Sequence, residues 1–123
     1  MGKKKSANAG PWLRPRLRVM RGSDIALGPG RVDLLELIGK TGSLRAAAKR
    51  MGISYMRAWT LMKYTNRCFR KPVVQAVRGG RSGGGARLTV AGREAVALYR
   101  LMEGQSRRAV KGTWNKLQKL VEA

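Results

Sequence analysis

The sequence predicts a mainly α-helical protein with one small β-hairpin. Residues 43–70 have the pattern of two short helices joined by a tight turn, with Ser43 and Ser54 as N-caps and Gly52 at the turn. Residues 73–88 then form two short apolar runs separated by a glycine-rich segment, which is typical of a hairpin. A helix-turn-helix followed by such a hairpin, the wing, is a winged helix-turn-helix, and a C-terminal helix for dimerisation completes the predicted architecture.

The chain before this motif is expected to hold a tail, an edge strand and one helix. Residues 1–12 read as a disordered basic tail, and residues 13–21 alternate in the manner of a half-buried strand that Pro15 confines to a sheet edge. The apolar positions are Leu13, Leu17 and Val19, and the basic ones are Arg14, Arg16 and Arg18. Residues 22–30 are predicted as loop, with a short extended piece at 25–27, and residues 31–40 as the first helix.

The two helices of the motif are predicted at residues 44–51 and from about 55 to 69. Ala47 and Ala48 are small enough for close helix crossing, and Ile53 is expected to fill the space between the helices. The core face of the second of these helices is expected to comprise Ala58, Leu61, Met62 and Thr65, with Trp59 at its border. The opposite face then carries Arg57, Thr60, Lys63 and Arg67.

The C-terminal third is predicted to contain the wing and a long helix. We expect strands at 73–77 and 86–88, and a helix capped by Thr89 that runs past Met102. The winged domain is assigned to residues 13–103 and a helical extension to 104–123. Gly104 and Gly112 each weaken the continuity of the last helix by ~1 kcal/mol relative to alanine. In this extension apolar residues recur at a 4-3-4 spacing, which indicates either a dimer contact or a helix folded back on its own domain. They are Val110, Trp114, Leu117 and Val121.

The charge of the chain points to a polyanionic partner. Lys and Arg number 27 against 6 Asp and Glu, which gives a formal net charge of +21, and residues 43–71 contain no acidic residue. Such a charge favours nucleic acid, in particular double-stranded DNA. An anionic membrane is less favoured, because we find no basic amphipathic helix with a wide apolar face and no apolar run near the ~18 residues of a span.

The predicted DNA contacts fall on three parts of the motif. Base contacts are expected from the first turns of the second helix, the recognition helix, at Tyr55, Met56, Arg57 and Thr60. Phosphate contacts are expected from Ser43, Arg45, Ser54 and Lys63, and Arg67 extends the same basic face. On the wing the expected contacts are Arg78, Arg81 and Arg87, with Arg81 suited to a minor groove.

The residue types in the sequence give little support for a catalytic function. The chain has no histidine, the commonest general base, and no cluster of cysteine and carboxylate residues suggests a metal site. We therefore expect no enzyme and no cofactor. Cys68 cannot form an internal disulfide, and it is expected to be a buried small apolar residue in a reducing cytoplasm.

Several short motifs resemble one family. GISY at 52–55, Ala58-Trp59, the GG and GGGA segments of the wing and Leu88-Thr89 look like the N-terminal domain of ModE-type molybdate-responsive transcription regulators, over residues 13–103. The helix-turn-helix, with Ser43 and three alanines at 46–48, is also similar to the LysR type. The resemblance implies a homodimer on a palindromic operator, with the recognition helix in the major groove and the wing on flanking backbone.

One departure from the family limits what the resemblance implies. Members that sense molybdate carry C-terminal oxyanion-binding domains, for which residues 104–123 are too few. We therefore expect no small-molecule effector in this chain. The leading hypothesis is a cytoplasmic, nucleoid-associated, sequence-specific bacterial regulator. The alternatives are an architectural nucleoid-type protein with little sequence specificity, and a helper subunit that binds a sensor protein through its C-terminal helix.

Overall fold

A computed structural model describes residues 10–77 and 85–121. Within them the chain is mainly helical, with two small antiparallel sheets, which confirms the predicted fold class. The strands are β1 (Val19–Arg21), β2 (Asp24–Leu27), β3 (Val74–Val77) and β4 (Gly85–Leu88), paired β1 with β2 and β3 with β4. The helices are α1 (Pro29–Thr41), α2 (Leu44–Met51), α3 (Tyr55–Cys68), α4 (Val90–Ala109) and α5 (Lys111–Leu117), followed by a 3-10 turn at Gln118–Leu120.

Local capping explains the bounds of the helix-turn-helix. The Ser43 Oγ accepts a hydrogen bond from the Ala46 amide at 3.0 Å, and α2 begins at the next residue, as predicted. Gly52 has a φ of 72°, the left-handed conformation that ends a helix at least cost in a glycine. The Ser54 Oγ then accepts from the Arg57 amide at 3.0 Å and starts α3.

Helix α1 forms the centre of the core. It packs against α2, α3 and α4, and its apolar side chains Val32, Leu34, Leu35, Leu37 and Ile38 are buried. Ala47 and Ala58 are fully buried where the helices cross, so their small size permits the close approach that the sequence predicts.

Hydrogen bonds fix the base of the wing to the helices. The Asn66 Oδ1 accepts from the amides of Val73 and Val74 at 2.8 and 3.2 Å, and its Nδ2 donates to the Val74 carbonyl at 3.0 Å. The Ala86 amide donates to the Gly42 carbonyl at 3.1 Å, which ties β4 to the turn before α2. The orientation of β3 and β4 relative to α3 is therefore determined by contacts within the described residues.

The N-terminal strand is shorter than predicted. Residues 13–18 lie outside any strand, and only Val19–Arg21 pairs with β2, across a turn at Gly22 in the region expected to be mostly loop. Pro15 cannot donate to a ladder, and β2 has only four residues to offer a partner. The predicted alternation holds from 13 to 18, since Arg14, Arg16 and Arg18 are exposed while Leu13 and Leu17 are half-buried. It is wrong at Val19, which is 37% exposed in a strand whose three residues are all exposed.

The C-terminal helices also differ from the expectation. Helix α4 continues through Gly104, the predicted start of the extension, and ends at Ala109. Val110 separates α4 from α5, and α5 ends at Leu117, so the 4-3-4 apolar positions do not form one continuous helical seam. Trp114 is half-buried and lines a cleft of about 850 Å³ with Trp12 and the first residues of the described chain. Cys68 is half-buried, not buried as predicted.

Candidate nucleic-acid interface

One face of α3 is exposed and basic. Arg57, Lys63 and Arg67 are exposed there and Thr60 is half-buried, while Ala58 and Thr65 on the opposite face are buried. The helical period therefore separates the predicted contact residues from the core. Met56, in the first turn, is 64% exposed, so its side chain is accessible on this face.

Three cations of this surface lie over aromatic rings. The guanidinium of Arg45 on α2 lies 4.5 Å from the centroid of the Tyr55 ring on α3. The Lys63 Nζ lies 5.1 Å from the Trp59 ring. The Arg67 guanidinium lies 5.2 Å from the Tyr64 ring. Each distance is within the ~6 Å range of a cation–π contact.

The two predicted serine contacts are also helix N-caps. Ser54 is exposed and Ser43 is half-buried. Each hydroxyl oxygen accepts a hydrogen bond from a backbone amide of the helix that it caps. A capping hydroxyl uses its oxygen as the acceptor and keeps its proton to donate. Both side chains can therefore cap a helix and donate to a phosphate oxygen at the same time.

The wing contributes one predicted contact to the described surface. Arg87 on β4 is exposed, and its Nη2 donates to the Gln75 Oε1 on β3 at 3.2 Å. This bond directs the guanidinium across the hairpin. Arg78 and Arg81 lie outside the described residues.

The helices and strands that carry this surface contain no acidic residue. No Asp or Glu occurs between Glu36 and Glu94, a stretch that includes α2, α3 and both wing strands. Three of the six acids surround Arg100 between α1 and α4: Asp33 at 2.9 Å, Glu103 at 2.8 Å, and Glu36. Burial opposes ionisation of Glu36, but the hydrogen bond and charge of Arg100 outweigh it and lower the pKa of this carboxyl below its ordinary value of 4.5. Asp33, Glu36 and Glu103 thus bind Arg100 at the junction of α1 and α4.

Sequence reasoning missed the supporting residues of the surface. Trp59 and Tyr64 are 39% and 48% exposed and lie beside cations four and three positions away, a spacing that was visible in the sequence. Asn66, which holds the wing, had no comparable signal. Nor did Arg21, whose Nη1 donates to the Arg67 carbonyl at 3.1 Å and fastens β1 to the end of α3.

The described part of the chain has no helix with the length and apolar character needed to cross a membrane. No model of a protein family matches the sequence.

Comparison with curated proteins finds relatives of one kind. The chain is 38% identical over 94 residues, 76% of its length, to the molybdenum-pterin-binding protein MopA of Rhodobacter capsulatus. It is 45% identical over 78 residues, 63% of its length, to the molybdenum transport protein ModE of Azotobacter vinelandii. It is 39% identical over 74 residues, 60% of its length, to the DNA-binding transcriptional dual regulator ModE of Escherichia coli K12.

The similarity covers only part of each relative, since the matches span 36%, 29% and 28% of these three proteins. It confirms the resemblance that the motifs of the helix-turn-helix and the wing indicate. Over its winged helix-turn-helix part, the chain is a homologue of the N-terminal domain of ModE-type transcription regulators.

Proposed function

We propose that the chain is a transcription regulator that binds a palindromic operator as a homodimer, in association with the nucleoid. The observation that carries the proposal is the exposed basic face of α3, beside the capped start of that helix. Arg57 is exposed in the first turn, the part of a recognition helix that reaches base edges in a major groove. Arg45, Lys63 and Arg67 surround it with charge for phosphates.

The relatives support the regulatory part of this proposal. One carries the name of a DNA-binding transcriptional dual regulator and is 39% identical to the chain over 74 residues. The chain spans about a third or less of the relatives it matches, so the proposal takes from them only DNA binding by the shared domain.

The apolar surface of α4 supports the homodimer. Leu98, Leu101 and Met102 are 52%, 51% and 37% exposed, at positions that share one side of the helix. Helix α4 packs on α1, β4 and α5, whereas α3 packs on α2, β2 and α1, so this apolar stripe lies on a different helix from the proposed DNA contacts. A second copy that buries the same stripe would make a two-fold interface and leave both recognition helices available.

We expect Leu101→Glu to convert a dimer into monomers, because it introduces two charges into a two-fold apolar contact. Sedimentation velocity measures the change. The control is Leu120→Glu, at an 82% exposed position outside the stripe. A wild-type chain that is monomeric at micromolar concentration, or a Leu101→Glu variant that remains dimeric, contradicts this interface.

A second candidate is an architectural protein that coats DNA with little sequence preference. The observation in its favour is the net charge of +21, since charge alone supplies sequence-independent affinity for phosphate. The two candidates differ in whether Arg57 reads a base or only adds charge.

We expect Arg57→Ala to reduce the preference for an operator over a scrambled duplex by about 1–3 kcal/mol, the value of one bidentate contact to guanine. Competition binding with both duplexes measures this change. The matched control is Arg50→Ala on α2, which removes the same charge from an exposed position off the recognition helix. Arg50→Ala should weaken binding to both duplexes equally. If Arg57→Ala also weakens both equally, the architectural function is favoured.

A further inference from the structure

We propose that Tyr55 and Trp59 are positioning residues, whose rings hold Arg45 and Lys63 in the orientation that meets phosphate groups. Tyr55 would then not read bases, contrary to the expectation from sequence. This inference rests on the DNA-binding function proposed above and assigns a mechanism to its contact surface.

The Tyr55 ring is suited to be a fixed support. It is half-buried, packs against the core cluster and belongs to the first residue of α3. Arg45 reaches it from α2, so the pair connects the two helices of the motif. Because core packing anchors the ring, the guanidinium above it is restrained relative to both helices.

Trp59 and Tyr64 repeat the arrangement at the surface of α3. Trp59 and Tyr64 are 39% and 48% exposed, so each side chain still presents part of its surface on this face. Lys63 follows Trp59 by four residues and Arg67 follows Tyr64 by three, the two spacings that bring side chains together on a helix. A cation held over an aromatic ring thus occurs three times on one surface.

A ring restrains a cation without cancelling its charge. A carboxylate could also hold Arg45 or Lys63, but it would neutralise the charge that a phosphate needs. No Asp or Glu occurs between Glu36 and Glu94, and every ion pair seen in the described residues belongs to Arg100. Aromatic rings therefore restrain these cations in a part of the sequence that has no carboxylate.

This restraint improves binding because long cationic side chains lose rotamer freedom when they contact DNA. The side chains of Arg and Lys are among those with the most rotamer entropy to lose. A cation already held over a ring loses less of it on binding. The expected gain is in affinity for any duplex, since phosphate contacts carry no sequence information.

The test compares ring-keeping and ring-removing substitutions on the full chain. Tyr55→Phe keeps the ring and removes the hydroxyl, whereas Tyr55→Leu removes both; Trp59→Phe and Trp59→Leu form the matching pair. We expect each Leu variant to bind operator and scrambled duplexes about two- to five-fold more weakly, by the same factor on both, and each Phe variant to bind nearly as the wild type.

A double-mutant cycle identifies the partner of each ring. If the ring acts through the cation, Tyr55→Leu should have no further effect on affinity in an Arg45→Ala background, and Trp59→Leu none in a Lys63→Ala background. Thermal unfolding shows whether each variant is folded. Because Trp59 is 39% exposed, its pair provides the test even if Tyr55→Leu fails to fold.

Three results would overturn the inference. An equal loss of affinity in Tyr55→Phe and Tyr55→Leu would mean that the Tyr55 hydroxyl makes the contact. A change of sequence preference in Tyr55→Leu would make Tyr55 a base reader. Additive losses in the cycle would mean that the rings act independently of Arg45 and Lys63. Failure of the wild-type chain to bind any duplex would instead refute the proposed function itself.

Discussion

At the scale of single residues, Arg100 determines where the negative charge of the chain is placed. One guanidinium binds three carboxylates, from Asp33 and Glu36 on α1 and Glu103 on α4. Burial opposes charging of Arg100, but its carboxylate partners raise its pKa well above the ordinary value. The network joins α1 to α4 through three ion pairs.

The lowered pKa of Glu36 predicts a loss of stability in acid. Because its folded pKa is below the ordinary value of 4.5, the stabilisation is present above pH 4.5 and disappears as the pH falls through the folded value. We expect Glu36→Gln to be less stable than the wild type at pH 7 and to lose less stability as the pH is lowered below 4.5, as measured by urea unfolding.

Glu94→Gln is the control for this experiment. It removes one carboxylate from an exposed position on α4, outside the Arg100 network. Its acid sensitivity should match that of the wild type. An unchanged acid profile in Glu36→Gln would show that the network does not contribute to the pH dependence of folding.

At the scale of elements, the junction between the wing and α4 depends on one glycine. Gly92 lies so close to β3 that a Cβ there would be 2.1 Å from the Val73 carbonyl oxygen. The Thr89 Oγ1 caps α4 at the Gly92 amide and also donates to the Pro72 carbonyl, while the Thr89 amide donates to the Val73 carbonyl. The start of α4 is thereby packed directly on the backbone that leads into the wing.

We expect Gly92→Ala to destabilise the fold by about 1–3 kcal/mol, because backbone must move to admit the methyl group. Thermal or urea unfolding measures the loss. Gly112→Ala is the matched control, since Gly112 on α5 has no atom within 4 Å of the added Cβ. Alanine there should keep or raise stability. Equal stability of both variants would refute the close approach at Gly92.

The elements that the sequence predicts well are those defined by local chemistry. Ser43, Gly52 and Ser54 set the limits of α2 and the start of α3 through bonds within three or four residues. The strand expected over residues 13–21 fails where its partner is too short, a property of β2 and not of the strand itself. Whether a residue finds a pairing partner depends on the tertiary structure, so alternation alone overestimates the length of the strand.

In the candidate site, too, the features set by local sequence could be predicted and those set by tertiary contacts could not. The helical period separates Arg57, Lys63 and Arg67 from the core, so the exposed basic face could be predicted. Tyr55 was expected to contact bases because it begins the recognition helix. Its contact with Arg45 joins residues on two helices, and no local spacing in the sequence indicates it.

At the scale of the whole molecule, the charge of +21 and the helix-turn-helix make separate contributions to DNA binding. The charge gives affinity that any duplex shares and that falls steeply with salt, because phosphate contacts release counterions. In the proposed function, base contacts from α3 add to this affinity a preference that depends on the particular sequence. The central claim is that the second contribution is large.

The most direct test is fluorescence-anisotropy binding of the full chain to palindromic duplexes selected from a random library, compared with scrambled duplexes at ~50 and ~200 mM salt. A sequence-specific regulator should prefer the selected duplex by ~10³ or more and keep that preference at the higher salt. Equal affinities that fall together as salt rises would contradict the account and identify a protein that binds DNA by charge alone.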